Sequence, residues 1–295
     1  MTKSEGDPKS EGALGTVWIT GAGGLIGNCL VKEAKAWFSR WNARGLTRQE
    51  LDLTDYREVR RQFERDKPAL VVHCAALTDT TQCQANPELA WRLNFEMTAR
   101  LAEIACDIPL IYFSTDLVFD GRVGNYSETA MVNPLSVYAE TKAAAEKLVL
   151  ANPRHSVVRT SLNGGVSPTG DRGFNEKLRR AWETGQMLDL YVDEFRCPIA
   201  GVETARAVWQ LAAAPQPGLF HVAGSERMSR WDIGQALARR WPQVKPRLRP
   251  ASLQGYRGAP RSPDTSLNCA KVQRLLSFPL PGLTEWLARH PEEEF

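Results

Sequence analysis

The sequence predicts an α/β fold, in which a doubly wound parallel sheet is followed by a smaller C-terminal lobe. Up to Thr160, apolar strand-like runs alternate with helical patterns, and such alternation favours parallel strands joined by helices. A glycine-rich turn follows the first of these runs. After Thr160 the alternation weakens and glycine and proline become more frequent, which indicates a lobe of different construction.

The first elements follow from local patterns. Val17–Thr20 is an apolar run that ends at the glycine turn, which indicates a buried strand, and Leu25–Phe38 after the turn is an apolar, helix-capable run. Trp41–Leu46 is a weak candidate for the second strand. Arg57–Arg65 has a helical pattern, and Pro68 closes that helix.

The alternation then continues. Ala69–Cys74 is an apolar run with the length of a buried strand. Pro87–Cys106 carries apolar residues three or four positions apart, which predicts one helix. Leu110–Ser114 is a strand, Val137–Leu150 a helix and Ser156–Thr160 a further strand by the same criteria.

The chain beyond Thr160 has fewer clear elements. Phe174–Thr184 and Arg230–Arg240 have helical patterns, and Gly218–Val222 between them is a candidate strand. We expect the segment around Val202–Ala214 to return and pack on the sheet.

Composition bounds the class of protein. The chain has 295 residues, of which 43% are hydrophobic and 24% charged, enough for one or two domains with a sizeable core. No apolar run approaches the ~20 residues that span a bilayer, and the start lacks the apolar centre of a secretory signal. A net charge of +3 gives no reason to expect nucleic acid. Six scattered cysteines and four histidines form no metal-ligand spacing, so we expect a reduced, cytoplasmic protein without a metal site.

The glycine turn predicts a phosphate-binding loop. Gly21, Gly24 and Gly27 are spaced G-x-x-G-x-x-G. The first allows a sharp turn off the strand, the second lets the backbone approach a phosphate, and the third lets the next helix pack closely on the sheet. Leu25 and Ile26 open that helix, whose N–H groups and positive dipole end would face the anion. The turn therefore predicts a Rossmann-type dinucleotide site.

This site sets the predicted domain organisation. Residues 1–14 are polar and are expected to form a flexible tail. Residues 15–160 would form the dinucleotide-binding domain, to which residues 201–224 return. Residues 161–200 and 225–295 would form the substrate-binding lobe. The ligand should lie beyond the carboxyl ends of the strands.

A tyrosine and a lysine predict acid–base chemistry at that edge. Tyr138 and Lys142 are four residues apart, so on a helix they share one face. An ammonium near a phenol favours the phenolate and draws its pKa from about 10 toward neutrality, where acid–base catalysis is efficient. The lysine could also bond a ribose hydroxyl, and the hydroxyl of Thr115, at the end of a strand, could bond a carbonyl oxygen. Together with the dinucleotide site, these residues predict a hydride-transfer enzyme.

Through these residues the chain resembles the extended short-chain dehydrogenase/reductases, and among them the dTDP-4-dehydrorhamnose reductase group, which includes the related β subunit of methionine adenosyltransferase. The resemblance runs from Thr16 onward, and its most discriminating string is S-T-D-x-V-F-D-G at Ser114–Gly121. The other matching stretches are Thr20–Gly27, Leu51–Asp55, Val71–Leu77, Asn86–Glu88, Leu93-Asn94, Tyr126–Glu128, Asn133–Lys142, Val158–Ser161, Asp193–Pro198, Gly218–Gly224 and Arg261–Asn268.

The resemblance implies a cytoplasmic reductase that uses a nicotinamide cofactor on a nucleotide-activated 4-keto sugar, such as a dTDP-linked 4-keto-6-deoxy sugar. Thr115, Tyr138 and Lys142 would take the catalytic positions. Asp116 belongs to the same motif and would either orient its loop or contact substrate. Dimers are frequent in the group, so a homodimer is compatible with the resemblance. The implied cofactor contacts, besides Tyr138 and Lys142, are Gly21, Gly24, Gly27, Asp52, Leu53, Ala75 and Ala76.

The sequence departs from the reductases in segments that shape the sugar pocket. The run Thr80–Gln84 stands where the reductases often have V-D-K-A-E. Leu162 stands where they often have tryptophan, and Asp193–Ile199 reads D-E-F-R-C-P-I in place of D-Q-F-G-S-P-T. We therefore expect the cofactor half to follow the family more closely than the substrate half.

Two arginines bear on the choice of cofactor. Between Trp41 and Glu50 the sequence offers Arg44 and Arg48 but no acid before Glu50 itself. NAD enzymes commonly place an acid near the ribose, whereas NADP enzymes accommodate the 2′-phosphate with arginine. We therefore expect NADPH, with NADH as the alternative, and Arg48 is the better candidate of the two.

Two further arginines are candidates for the phosphates of the substrate. Arg196 and Arg261 lie in the predicted lobe, and arginine binds phosphate oxygens in a bidentate manner. Arg196 could instead pair with Asp193 or Glu194 beside it.

Two other functions stay open at this point. An epimerase or dehydratase of the same superfamily would share the cofactor site, but a dehydratase typically has Asp-Glu after the threonine, and here Asp116 precedes Leu117. A non-catalytic, NADP-binding regulatory subunit of a partner enzyme is the second alternative, because Arg261–Lys271 also resembles the β subunit of methionine adenosyltransferase.

Overall fold

The computed structural model describes residues 15–37, 40–214 and 216–295. The predicted tail over residues 1–14 and the last residue of the first predicted helix, Phe38, lie outside these ranges. Within them the strands are β1 (Gly15–Thr20), β2 (Trp41–Leu46), β3 (Leu70–His73), β4 (Leu110–Thr115), β5 (Ser156–Thr160), β6 (Asn163–Gly164), β7 (Leu188–Tyr191), β8 (Phe195–Arg196), β9 (Ile199–Ala200), β10 (Gly218–Val222), β11 (Met228–Ser229) and β12 (Leu248–Ala251).

The α-helices cover most of the connections between these strands. They are α1 (Leu25–Trp37), α2 (Tyr56–Asp66), α3 (Thr80–Ala85), α4 (Pro87–Trp91), α5 (Met97–Ile104), α6 (Val137–Leu150), α7 (Phe174–Glu183), α8 (Gly201–Ala213), α9 (Arg230–Arg240), α10 (Ala270–Gln273) and α11 (Leu283–Arg289). The single helix predicted over 87–106 is divided, because a π-helical turn over Arg92–Glu96 joins α4 to α5.

Among the described residues, six strands form one parallel sheet in the order β10-β5-β4-β3-β1-β2. This arrangement confirms the predicted fold class. The chain runs outward from β1 to β2 on one side and from β3 through β4 to β5 on the other. The order therefore reverses between β1 and β3, and the crevice at such a switch point is where open α/β sheets bind ligands.

Both faces of the sheet are covered, as the side chains of β1 show. Val17 and Ile19 are fully buried in the core on one face, and Trp18 between them is fully buried in the core on the other. A strand that is buried on both faces reads as a continuous apolar run. Strand β10 pairs with β5 at the sheet edge and α8 packs against α1, so residues 201–222 rejoin the sheet after the chain has left it.

The C-terminal lobe has its own core. Trp182, Leu237, Trp286 and Phe295 are buried together there. Strands β7 and β12 form a separate parallel pair in the lobe, and β8 pairs antiparallel with β11. In the part of the chain that the structure describes, no helix is both long and apolar enough to cross a membrane.

Candidate active site

The glycine turn leads from β1 into α1 beside the end of β3. Gly21 has φ +71°, and a Cβ there would lie 2.7 Å from the Ala75 backbone nitrogen. The Gly24 N–H donates to the Gly21 carbonyl at 2.9 Å, and a Cβ on Gly27 would collide with the Gly21 backbone. The backbone approaches itself too closely for side chains here. This cradle, open at the start of α1, fits a pyrophosphate.

The other predicted contacts of the cradle lie close to it. Leu25 and Ile26 are the first residues of α1, and their side chains pack on the core beneath the sheet. Ala75 and Ala76 follow β3, and the Ala75 N–H is 3.4 Å from the Thr20 hydroxyl at the end of β1. These residues line the switch point between β1 and β3.

The two arginines that were candidates for the 2′-phosphate of the ribose differ in their contacts and in their exposure. Arg44 lies within β2, where its guanidinium is bound to Asp66 and Gln62. Arg48 lies beyond β2, its side chain is 81% exposed, and its Nε is 3.6 Å from Asp52 Oδ2. Arg48 can therefore turn toward a ligand, whereas Arg44 is held against α2.

The loop that carries Arg48 borders the glycine turn. The Ala22 N–H donates to the Leu46 carbonyl at 3.2 Å, which joins the turn to the end of β2. Asp52 accepts two hydrogen bonds from Thr54, at 2.9 and 2.7 Å, and the backbone bond lowers the pKa of Asp52. Leu53 packs on the core beside them.

Helix α6 holds the predicted tyrosine and lysine against the end of β4. Lys142 Nζ donates to the Phe113 carbonyl at 2.6 Å and lies 4.1 Å from the centroid of the Tyr112 ring. The Tyr138 hydroxyl is hydrogen-bonded to the Thr115 side chain. The three residues predicted to be catalytic therefore lie together at the carboxyl edge of the sheet: Thr115, Tyr138 and Lys142.

The protonation of Tyr138 differs from the expectation. The sequence predicted that Lys142 would draw the pKa of the phenol toward neutral pH. Burial raises the pKa of Tyr138 above its ordinary value, although the Thr115 hydrogen bond opposes that effect. Burial lowers the pKa of Lys142 to about 7, against the influence of Glu146 on the next turn. The phenol therefore keeps its proton, the state that a proton donor requires.

Asp116 is buried beyond Thr115 and is fully engaged. Its Oδ1 accepts from Thr115 Oγ1 at 3.2 Å and lies 2.9 Å from Arg196 Nη1. Its Oδ2 accepts from Ser161 Oγ at 2.7 Å and from Thr265 Oγ1 at 3.1 Å. Asp116 thus joins the end of β4 to two segments of the lobe.

Arg196 pairs with Glu194, the alternative that the sequence left open. Glu194 is fully buried and contacts three guanidinium groups, those of Arg196 at 3.2 Å, Arg230 at 3.1 Å and Arg261 at 2.7 Å. Burial alone would raise the pKa of Glu194, but the three arginines lower it to about 2. Arg196 is buried, whereas the side chains of Arg230 and Arg261 are 20% and 29% exposed.

The exposed end of this cluster is aromatic. The Arg261 guanidinium carbon lies 5.2 Å from the ring centroid of Tyr191 and 5.5 Å from that of Tyr256. These two rings are 5.8 Å apart and meet edge to face. A polar row therefore runs from Thr115 through Asp116 and Glu194 out to a pair of tyrosines in the lobe.

Asn94 belongs to the site although the sequence pointed to it only as part of a matching stretch. It lies in the π-helical turn, where its amide accepts from the Leu77 N–H at 2.7 Å and donates to Leu77 O and Thr141 Oγ1, each at 3.1 Å. Asn94 therefore ties the loop after β3 to α6. The available signal was a polar residue on the apolar face of a predicted helix.

Within residues 15–37, 40–214 and 216–295, no group of three or more His, Cys, Asp or Glu side chains is placed to hold a metal ion.

The fold and the site are those of a nucleotide-binding α/β protein, and comparison with known proteins identifies its family. The chain belongs to the RmlD substrate-binding domain family, whose model matches residues 15–293. Among solved structures, a dTDP-4-dehydrorhamnose reductase of Clostridium acetobutylicum superposes with a TM-score of 0.83 at 26% identity, covering 94% of this chain and 98% of that one.

Two further proteins are similar to this chain. The dTDP-4-dehydrorhamnose reductase of Bacillus anthracis, solved in complex with NADP, has the same fold, with a TM-score of 0.83 at 23% identity over 93% of this chain and 98% of that one. The methionine adenosyltransferase 2 subunit beta of Xenopus laevis is 29% identical over 87% of this chain and 81% of its own length.

The burial of Lys142 predicts a pH-dependent stability. The native lysine loses its proton near pH 7 and the unfolded one near 10.5, so between these values the unfolded state binds more protons and stability rises with pH. Lys142→Met should therefore be more stable than the wild type at pH 6. That advantage should shrink by up to about 1.4 kcal/mol per pH unit above 7.

Urea unfolding of both proteins from pH 6 to pH 9 measures this difference in the free energy of unfolding. Lys147→Met removes an exposed lysine from the same helix and is the matched control. A stability difference between Lys142→Met and wild type that stays constant across the range would contradict a buried lysine of lowered pKa.

Proposed function

We propose that this protein is an NADPH-dependent reductase of the 4-keto group of a nucleotide-activated sugar. The observation that carries the proposal is the convergence of Thr115, Tyr138 and Lys142 beside a glycine cradle at the carboxyl edge of a parallel sheet. Membership of the RmlD family and the fold shared with dTDP-4-dehydrorhamnose reductases support it.

The cofactor assignment rests on the cradle and on Arg48. Gly21, Gly24 and Gly27, with the start of α1 at Leu25 and Ile26, would hold the pyrophosphate. Asp52 and Leu53 would border the adenine, Ala75 and Ala76 would line the channel, and Arg48 would meet the 2′-phosphate. Lys142 would bond the nicotinamide ribose. The B. anthracis reductase was solved with NADP, which supports the same cofactor here, with NADH as the alternative.

In the reduction of the carbonyl, the cofactor would provide the hydride and the protein would provide the proton. When NADPH is bound, it would supply the hydride that the carbonyl carbon accepts, and would become NADP⁺. The carbon–oxygen π bond breaks toward oxygen, and the oxygen takes the Tyr138 hydroxyl proton, which leaves a secondary alcohol. The Thr115 hydroxyl donates to the same oxygen and stabilises the negative charge that develops there. The Tyr138 phenolate that remains then takes a proton from solvent, which returns the phenol to its starting state.

The rest of the substrate would lie along the polar row toward the lobe. Arg261 and Arg230 are partly exposed and share one buried carboxylate, Glu194, so they can bind the diphosphate. Arg196, the other candidate from the sequence, is less suited to that role because its guanidinium is buried between Asp116 and Glu194.

A regulatory subunit is a second candidate function. The observation that favours it is the 29% identity with methionine adenosyltransferase 2 subunit beta over most of both chains. Such a protein would keep the cofactor cradle but act by binding a catalytic partner. The two candidates differ in whether the purified protein turns over NADPH.

A substrate screen tests the proposal. Purified protein should oxidise NADPH, followed by its absorbance, with at least one member of a panel of nucleotide-activated 4-keto sugars. Because Leu162 and Thr81-Gln82 stand where the reductases often have an aromatic residue and a charged pair, dTDP-4-dehydrorhamnose should be a weaker substrate than the best of the panel. A kcat/KM for it of ~10⁴–10⁸ M⁻¹s⁻¹ would show that these differences are neutral. Failure with the whole panel, together with co-purification of a methionine adenosyltransferase, would favour the regulatory candidate.

Tyr138→Phe tests the proton donor. Turnover should fall by about 100-fold or more, the usual contribution of general acid catalysis, whereas the Kd for NADPH measured by calorimetry should change little. Lys142→Ala should impair both turnover and NADPH binding, because the lysine serves both. Tyr56→Phe, on α2 and away from the site, is the control. Near-normal kcat in Tyr138→Phe would remove Tyr138 from the catalytic group.

Arg48→Ala tests the choice of cofactor. The Kd for NADPH should rise about 10-fold, as expected from loss of a hydrogen bond to a charged group, and the Kd for NADH should be unchanged. Arg44→Ala is the comparison, since Arg44 is bound to Asp66 and its loss should act on stability. Equal weakening of NADPH and NADH binding in Arg48→Ala would rule out a contact with the 2′-phosphate.

A further inference from the structure

A buried ion pair borders the hydroxyl that is proposed to receive the substrate carbonyl. Asp116 directly follows Thr115 and lies 2.9 Å from Arg196, and the two charged side chains are only 4% and 5% exposed. Arg196 reaches this position from β8, in the lobe, so the pair forms only when the lobe is seated on the end of β4.

The hydrogen bonds of Asp116 are unequal. It accepts from four donors, about as many as a carboxylate has lone-pair positions, and the Thr115 bond at 3.2 Å is the longest of the four. That bond also falls on the oxygen that Arg196 approaches. Since bonds to charged donors are the stronger ones, the Thr115 bond is the one that Asp116 can release most easily.

Release of this bond is what the proposed chemistry needs. The Thr115 hydroxyl has a single proton, which it donates to Asp116 in this structure, while its oxygen accepts from the Leu117 N–H at 3.2 Å and faces the protonated Tyr138 hydroxyl. Thr115 can donate to a carbonyl oxygen only when that proton leaves Asp116. Without Arg196, the buried carboxylate would lack its nearest opposite charge and would hold the threonine proton.

The same pair controls the charge beside the reacting oxygen. Negative charge develops on that oxygen during reduction, and the Asp116 carboxylate next to Thr115 would oppose it. Arg196 offsets the carboxylate. Because Glu194 is shared with Arg230 and Arg261, this cluster of three arginines and two carboxylates carries one net positive charge.

We propose that Arg196 is a positioning residue for this reduction, which engages Asp116 so that Thr115 can donate its proton to the substrate carbonyl. The inference rests on the proposed reductase function. It gives Arg196 a role through Asp116 and Thr115 in place of a contact with the substrate's phosphates.

The test is a double-mutant cycle with Arg196→Gln, Asp116→Asn and the double variant, using the best substrate of the screen. Arg196→Gln should lower kcat by about 100-fold, the order expected when one stabilising donor is lost, with KM and the Kd for NADPH little changed. Arg196→Lys, which keeps the charge, should recover part of the loss. Adding Arg196→Gln to Asp116→Asn should lower kcat by less than about threefold, because the two residues act as one unit.

Arg249→Gln, which breaks the exposed pair of Arg249 with Asp189, is the matched control and should keep the wild-type kcat. Urea unfolding identifies the variants that are native at the assay temperature. Should Arg196→Gln not fold, Arg196→Lys decides: a lowered kcat at unchanged KM supports the proposal, and the wild-type kcat overturns it.

Four results would overturn the inference. A wild-type kcat in Arg196→Gln removes its positioning role while the reductase function stands. A raised, salt-dependent KM at unchanged kcat would show that Arg196 contacts the substrate's phosphates directly. Independent effects of the two substitutions would show that Arg196 does not act through Asp116. A wild-type protein that oxidises NADPH with no member of the panel refutes the reductase function, and the inference with it, since Thr115 then has no carbonyl to serve.

Discussion

Two buried carboxylates, Asp116 and Glu194, are the constraint on which the arrangement of sheet and lobe depends. A buried charge is costly unless it is paired and hydrogen-bonded, and both carboxylates share the guanidinium of Arg196. Asp116 belongs to the end of β4, whereas Glu194 and Arg196 belong to the lobe. The lobe is therefore fixed on the carboxyl edge of the sheet by ionic contacts that lie directly behind the proposed reacting group, Thr115.

The cofactor half of the site could be predicted from the sequence because its signals are local. Gly21, Gly24 and Gly27 lie within one turn. Their spacing predicts that the backbone passes too close to itself for side chains, and in the structure a Cβ on Gly21 or Gly27 would collide with the backbone. Tyr138 and Lys142 lie one helical turn apart, so their common face follows from periodicity alone. The parallel sheet that brings these elements to one edge follows from the alternation of apolar runs.

The substrate half could not be predicted to the same depth, because its contacts join residues far apart in the chain. Nothing in the sequence pairs Asp116 with Arg196. Nor does a helical pattern reveal the π-helical turn at Asn94, which is set by its bonds to Leu77 and Thr141. The protonation of Tyr138 could not be predicted either, because it depends on the burial of the phenol, which the sequence does not show.

In the proposed reaction, a hydride would pass from the nicotinamide to the carbonyl carbon of a sugar held between Thr115 and Tyr138. The most direct measurement is isotope transfer. The protein is incubated with a 4-keto nucleotide sugar and NADPH that carries deuterium at the transferable nicotinamide position, and the sugar product is analysed by NMR and mass spectrometry. Deuterium should appear on carbon 4 of the product sugar. A reduced product without deuterium at carbon 4, or the absence of any reduced sugar, would contradict the proposed reaction.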